Sequence, residues 1–155
     1  MKLTVKQRSC GECTLCCTAI AVNDLKKPPG RTCQFVCSHG CSIYEHRPSS
    51  CAQFRCWWLN QAALDDPQDD ILDRPDKMGI VLFPQKTSVG PALVAFPGQC
   101  GAFDNPVVRE YLNGLSKQYV VFVMSNPRVI LCPENMRTKV RYMAEEIKRQ
   151  YGTKK

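Results

Sequence analysis

Nine cysteines fall between Cys10 and Cys56 of this chain, and only Cys100 and Cys132 lie beyond them. The first group is Cys10-x-x-Cys13-x-x-Cys16-Cys17; the second is Cys33-x-x-x-Cys37-x-x-x-Cys41, followed by Cys51 and Cys56. A two-residue gap folds the backbone so that successive sulfurs converge on one centre, which is the spacing of thiolate metal sites. Neighbouring side chains diverge, so Cys16 and Cys17 are expected to serve two centres, or one centre and a free role. Nine thiols can supply two four-ligand sites with one to spare, or one site plus reactive thiols, and all nine are candidate metal ligands.

A chain of 155 residues buries roughly two-thirds of its unfolded surface, so the cysteines are not compensation for a missing core. With 44% hydrophobic and 23% charged residues the composition excludes a disordered chain, a collagen and a membrane channel. No stretch approaches the roughly 18 apolar residues of a transmembrane helix, and the first ten residues hold no apolar signal core. The expectation is a cytoplasmic protein with no membrane association, in which thiols stay reduced or bind metal instead of pairing as disulfides. Eleven cysteines is an odd number, which also leaves at least one thiol over.

The net charge of +7 is uneven: residues 1–60 carry +5, 61–78 carry −4 and 79–155 carry +6. Eight thiolates on two divalent ions would remove about four positive charges, so the basic balance is weak support for a nucleic-acid partner. Three stretches follow. Residues 1–60 form a cysteine-cluster module with little helical or strand periodicity, broken at Lys26, Lys27, Pro28, Pro29 and Gly30. Residues 61–78 read as an acidic, solvated connector lacking the glycine and glutamate positions of a calcium loop. Residues 79–155 read as an α+β part that forms one compact domain with the first. In that part strands are predicted at 79–84 and 91–96 as a hairpin about a turn at 85–90, then a helix from Asn105 and Pro106 to about 118. Strands at 119–124 and 128–132 follow, and Met136, Val140, Met143, Ala144, Ile147 and Tyr151 mark an amphipathic helix over 135–151 with a basic outer face. Two exposed lysines close the chain. The predicted fold class is α+β: an irregular cysteine-rich metal-binding module packed on a small, mostly antiparallel sheet with two helices.

The cysteine spacing, read with Cys41-Ser-Ile-Tyr-Glu-His-Arg-Pro48 and Cys51-Ala-Gln-Phe-Arg55, resembles the CxxCxxCC cysteine-cluster family, the YkgJ-like zinc- or iron-chelating domain. The match spans about residues 10–60, and a further stretch from Arg74 to Leu82 is similar to some members. The resemblance implies metal or iron–sulfur binding at Cys10, Cys13, Cys16, Cys17, Cys33, Cys41 and Cys51, with Cys37 and Cys56 additional to the pattern. One relative, a flagellin lysine methylase, couples such a motif to an iron–sulfur centre; this chain is far shorter, and that activity is not carried over.

Zinc and iron–sulfur clusters both accept four thiolates. The spacing departs from the ferredoxin run, which has a three-residue gap and a proline after its last ligand, and from zinc fingers, because the only histidines are His39 and His46. Zinc is slightly favoured as the cofactor. His39 and His46 read as loop histidines, Cys100 and Cys132 as small apolar core residues, and Trp57 and Trp58 as cover for a core or a metal site. Tyr44, Arg47 and Pro48 read as a structural corner, the arginine donating to carbonyls beside the cluster. A thioredoxin-like reading of Cys10-Gly-Glu-Cys13 needs a preceding strand that the chain start does not offer.

The leading function is metal binding through clustered thiolates. A redox or transferase enzyme, built on a cluster or on three thiolates with an open position, is one alternative; a nucleic-acid or protein adaptor using the basic last helix is another. No serine-histidine-acid set, phosphate-binding glycine loop or paired catalytic carboxylates are present.

Overall fold

The computed structural model describes residues 6–70 and 72–152; the closing lysines, Lys154 and Lys155, lie outside the described residues. The fold is α+β. Its centre is a four-stranded sheet in sequence order, β3 (Ile80–Thr87), β4 (Gly90–Pro97), β5 (Val121–Val123) and β6 (Val129–Leu131). Ahead of it lie the short helix α1 (Cys16–Ala19), a two-stranded ribbon of β1 (Val36–Cys37) and β2 (Gly40–Cys41), and four more short helices. These are α2 (Ser49–Gln53), α3 (Trp57–Asn60), α4 (Pro67–Asp70) and α5 (Pro75–Met78).

The β3–β4 pair is the predicted antiparallel hairpin, but its strands run further than the sequence indicated. Thr87 pairs with Gly90, which leaves only Ser88 and Val89 to turn, and the Thr87 hydroxyl donates to the Gly90 carbonyl at 2.6 Å. Glu146 from the last helix accepts the Ser88 N–H at 3.0 Å, and the Ser88 hydroxyl as well. Between β4 and β5 the chain makes a crossover through α6 (Pro106–Leu115), so that pair alone in the main sheet is parallel. Asn105 caps α6 by accepting the Val107 N–H at 2.9 Å, and Pro106 takes the first-turn position where a missing N–H costs nothing. A tight Asn126–Pro127 turn, with a cis peptide, returns β6 antiparallel to β5. The last helix, α7 (Arg137–Tyr151), buries Met143 and Ile147 one turn apart, and Arg137, Lys139, Arg141, Lys148 and Arg149 stand exposed on its outer side.

Both faces of the sheet are covered, and by different parts of the chain. Alternation along the strands sends Val81, Phe83, Val94 and Phe122 to one face, where they meet Ala19, Cys56 and Trp58 of the cysteine-rich module together with Met143 and Ile147 of α7. Ile80, Leu82, Leu93 and Val121 go to the other face and meet Met78, Val108 and Leu112. The cysteine module and α7 thus share one core and α6 holds the other. Phe83 is the junction on the shared side: its ring is edge-on to Phe54 at 5.3 Å and to Tyr151 at 5.9 Å. Leu15 is pressed against Gly98, where a Cβ would stand 2.5 Å from its side chain.

The strand order leaves β3 at one edge and β6 at the other. Pro84 sits exposed in the middle of β3, followed by exposed Lys86, and an edge strand is where a proline is tolerated.

The acidic stretch 61–78 carries more structure than a connector. Asp70 accepts Arg8 Nε at 2.9 Å and the Leu64 N–H at 2.6 Å, while its carbonyl accepts the Trp58 indole N–H at 2.9 Å. Arg8 also donates to the Trp58 carbonyl at 2.9 Å and lies 4.7 Å over the Trp58 ring, which ties the chain start to the cysteine module. Cys100, expected in the core, is exposed: it falls in the turn that leaves β4, ahead of Gly101, whose φ of +76° continues that turn. Cys132 packs at the edge of the shared core, as its apolar reading requires.

Candidate metal centre

The cysteine module is built from turns, each closed by a backbone hydrogen bond that sets a thiol in place. The Cys13 N–H donates to the Cys10 carbonyl at 2.9 Å, turning the first pair, with Gly11 at φ +52° inside the turn. Cys16 and Cys17 open α1, where successive side chains diverge by about 100°. The Cys33 N–H donates to the Cys17 carbonyl at 2.9 Å and so draws the second cluster against the first. Cys41 follows from the β1–β2 ribbon, Cys51 from α2, and Cys56 immediately precedes α3. Helix α2 is tied back by Ser50, whose hydroxyl donates to Asp24 at 2.8 Å.

Eight of the nine clustered cysteines, all but Cys37, line one cavity of about 240 Å³. Cys37 instead donates its S–H to the Gly40 carbonyl at 3.2 Å within its own ribbon. Between the thiols the walls are apolar, with Ile20, Leu25, Phe35, Ile43 and Phe54 among them. His39 and His46 are exposed and do not line the cavity. Arg47 does, and its guanidinium is stacked on the Tyr44 ring, 3.9 Å from the centroid. Of the tryptophans, Trp58 forms part of the wall, while Trp57 packs edge-on to Tyr119 at 5.2 Å toward the second core.

Sequence reasoning passed over Lys27 as part of a loop break. Its side chain is buried, with the residue 7% exposed, and the ammonium donates to three carbonyls: Arg31 at 2.8 Å, Pro28 at 3.1 Å and Thr18 at 3.3 Å. It stands beneath the second cluster, where the charges of Cys33, Cys17, Cys16 and Cys51 support its proton against the burial that pulls its pKa down.

The thiols are unequal. Cys16 donates to Cys17, and that bond lifts Cys16 far above an ordinary thiol and, from the acceptor side, lowers Cys17 to about 7. The positive charges of Lys27 and Arg47 act on Cys17 in the same direction. Burial pushes Cys13 up to about 11, against the N–H groups of Leu15 and Asp76 that bond its sulfur. Burial also raises Cys10, Cys51 and Cys56. Ligation would require these thiols to surrender protons, so the site has the character of one whose metal affinity rises with pH.

As a donor set the cavity fits a thiophilic ion or an iron–sulfur cluster: many soft sulfurs, cationic side chains to offset thiolate charge, and no carboxylate or imidazole among its lining residues. The sulfurs ring the space instead of closing on a point. Among the described residues no three cysteine, histidine or acidic side chains are already gathered as ligands of one ion. Among the described residues, likewise, no helix is long and apolar enough to cross a membrane.

No family model matches the chain, and no curated protein or solved structure is significantly similar to it.

Proposed function

We propose that this chain is a metal-binding protein that uses clustered cysteine thiolates to hold zinc or an iron–sulfur cluster. The observation that carries the reading is the common cavity, which collects eight thiols from six separate segments over residues 10–56, strand β2 among them. Free thiolates are disfavoured by such gathering, because negative charge on one raises the proton affinity of those around it, as at Cys10, Cys16 and Cys51. Bound metal removes that cost by taking the charge. The resemblance of the spacing to the CxxCxxCC cysteine-cluster family points the same way, and a reducing compartment such as the cytoplasm is where these thiols would stay available.

The residues that hold the group are those of the cavity. Lys27, Arg47 and Arg8 keep the walls in place and balance negative charge, and Trp58 and Phe54 seal the inner side against the sheet. When bound, zinc supplies a closed structural anchor, whereas an iron–sulfur cluster supplies an electron-transfer centre. Elemental analysis and a visible spectrum of chain purified without oxygen test the reading. Bound zinc without visible absorption, or iron with matching sulfide and a broad visible band, is expected; a reduced, folded chain carrying less than one metal equivalent overturns it.

A further inference from the structure

The last helix leaves part of its side of the sheet bare. Tyr151 meets Phe83 edge-on at 5.9 Å and Phe96 at 5.6 Å, and Glu146 holds the β3–β4 turn, so α7 is drawn toward the hairpin and away from β6. Ile130 pairs with Phe122 across the β5–β6 ladder and therefore points to the same face. Phe122 is 4% exposed, in one core with Met143 and Ile147, whereas Ile130 is 38% exposed. Along this margin runs a groove of about 160 Å³ whose apolar lining includes Phe122, Met124, Ile130, Ala144 and Ile147.

Its rims are basic. Arg137, Arg141, Ala144 and Lys148 follow one another at spacings of four, three and four, which puts three cations on the side of α7 that Ala144 turns to the groove. From Arg137 to Lys148 that row spans roughly 16 Å, three turns of helix. Arg128 lines the groove from the β5–β6 turn, and it donates to the Tyr151 carbonyl at 3.3 Å, which sets it at the C-terminal end of α7. Glu145 lies at the outer margin, and Glu134 pairs with Arg137 at 3.6 Å.

We propose that the groove between β6 and α7 docks a helix of a partner protein, one whose apolar stripe is flanked by carboxylates. The stripe covers Ile130 and the shoulder at Ala144, where a small side chain lets another helix approach, and the carboxylates meet Arg128, Arg141 and Lys148. A helix laid there completes the layer that α7 begins on this face of the sheet. The aliphatic floor argues for protein over nucleic acid, which needs phosphate contacts and exposed rings for its bases. The Phe122 ring is buried, and the exposed Tyr142 stands two residues from Ala144, on the far side of α7. The proposal goes beyond metal binding and stands apart from it, since no cavity cysteine lines the groove.

The test selects a displayed library of random peptides of about 16 residues on the immobilised full chain. Selected peptides are then synthesised with a fluorophore and titrated by anisotropy. They are expected to carry apolar residues at helical spacing with Asp or Glu beside them, and to bind severalfold more weakly as salt rises from about 0.05 to 0.3 M. Ile130→Asp and the Arg141→Glu/Lys148→Glu pair are each expected to weaken binding about tenfold, while Lys117→Glu, on α6, leaves it unchanged. A proline at the centre of the peptide should abolish it. The charge variants alter exposed side chains, so they keep the test decisive if Ile130→Asp disturbs the sheet. Failure to enrich any peptide, enrichment of basic ones, or binding that survives the groove variants overturns the proposal, as does full binding by the proline peptide. Two other occupants would overturn it as well. One is a single-stranded oligonucleotide that binds more tightly than the peptides and responds to the charge variants but not to Ile130→Asp. The other is a second copy of the chain, seen as a dimer that Ile130→Asp splits in sedimentation.

Discussion

A Cβ on Gly40 would stand 2.9 Å from the carbonyl oxygen of Gly11, which presses the ribbon carrying Cys41 against the turn carrying Cys10 and Cys13. Gly40 also has φ +127°, a backbone conformation that L side chains rarely adopt. Gly40→Ala should therefore cost about 1–3 kcal/mol in strain and separate the two cysteine turns. Urea unfolding of the loaded chain and its metal content measure the two effects. Unchanged stability with full metal content would show that the two turns tolerate separation.

Lys27→Met keeps the length of the side chain and removes all three of its hydrogen bonds, leaving the carbonyls of Thr18, Pro28 and Arg31 without their donor. A loss of about 2 kcal/mol is expected, the cost of leaving buried polar groups unpaired. Chemical denaturation reads it directly, and an equally stable variant would mean that water replaces the ammonium.

In the metal-free, reduced chain Cys17 should be the first cavity thiol to be alkylated as pH rises. Its proton leaves at about 7, so the thiolate is scarce below that pH and abundant above it, whereas Cys13, pushed up to about 11, stays protonated through the neutral range. Cys16→Ala removes the donor and should move the Cys17 midpoint upward, toward an ordinary thiol. Mass spectrometry of iodoacetamide-treated chain against pH follows both, and a midpoint that ignores the substitution would refute the hydrogen bond as its cause.

Metal removal should be felt unequally on the two sides of the sheet. Cys56 and Trp58 share a core with Val81, Phe83, Met143 and Ile147, while Val108 and Leu112 lie in the other. After a strong chelator, amide exchange is expected to rise across residues 10–60 and in α7, and less in α6. Equal gains in α6 and α7 would mean that the module does not brace its own side.

The elements with strong periodicity were legible in the sequence. Val108 and Leu112, or Met143 and Ile147, repeat at helical spacing and are buried as that spacing requires; the alternation from Ile80 to Phe83 serves a sheet covered on both faces. What the pattern does not carry is pairing partners: the parallel β4–β5 contact follows from α6 crossing over, and the hairpin turn is tightened by Glu146, which is distant in sequence. The cysteine spacing marked which residues belong together but not that Cys37 turns away while Cys56 faces in. Both outcomes depend on hydrogen bonds and burial formed by other segments. Lys27 was illegible for the same reason, since a lysine beside two prolines reads as surface until the loop closes over it.

Pro84 has a consequence for how this protein meets copies of itself. An edge strand of eight residues offers a row of backbone donors and acceptors to any passing chain, yet β3 carries a residue with no N–H to give at its centre and a charge at exposed Lys86 two positions on. At the opposite margin β6 is three residues long and stands between Pro127 and Pro133, too short to template a neighbour. Both open borders of the sheet thus discourage strand-to-strand stacking, so that crowding of identical chains does not by itself extend the sheet from one molecule to the next.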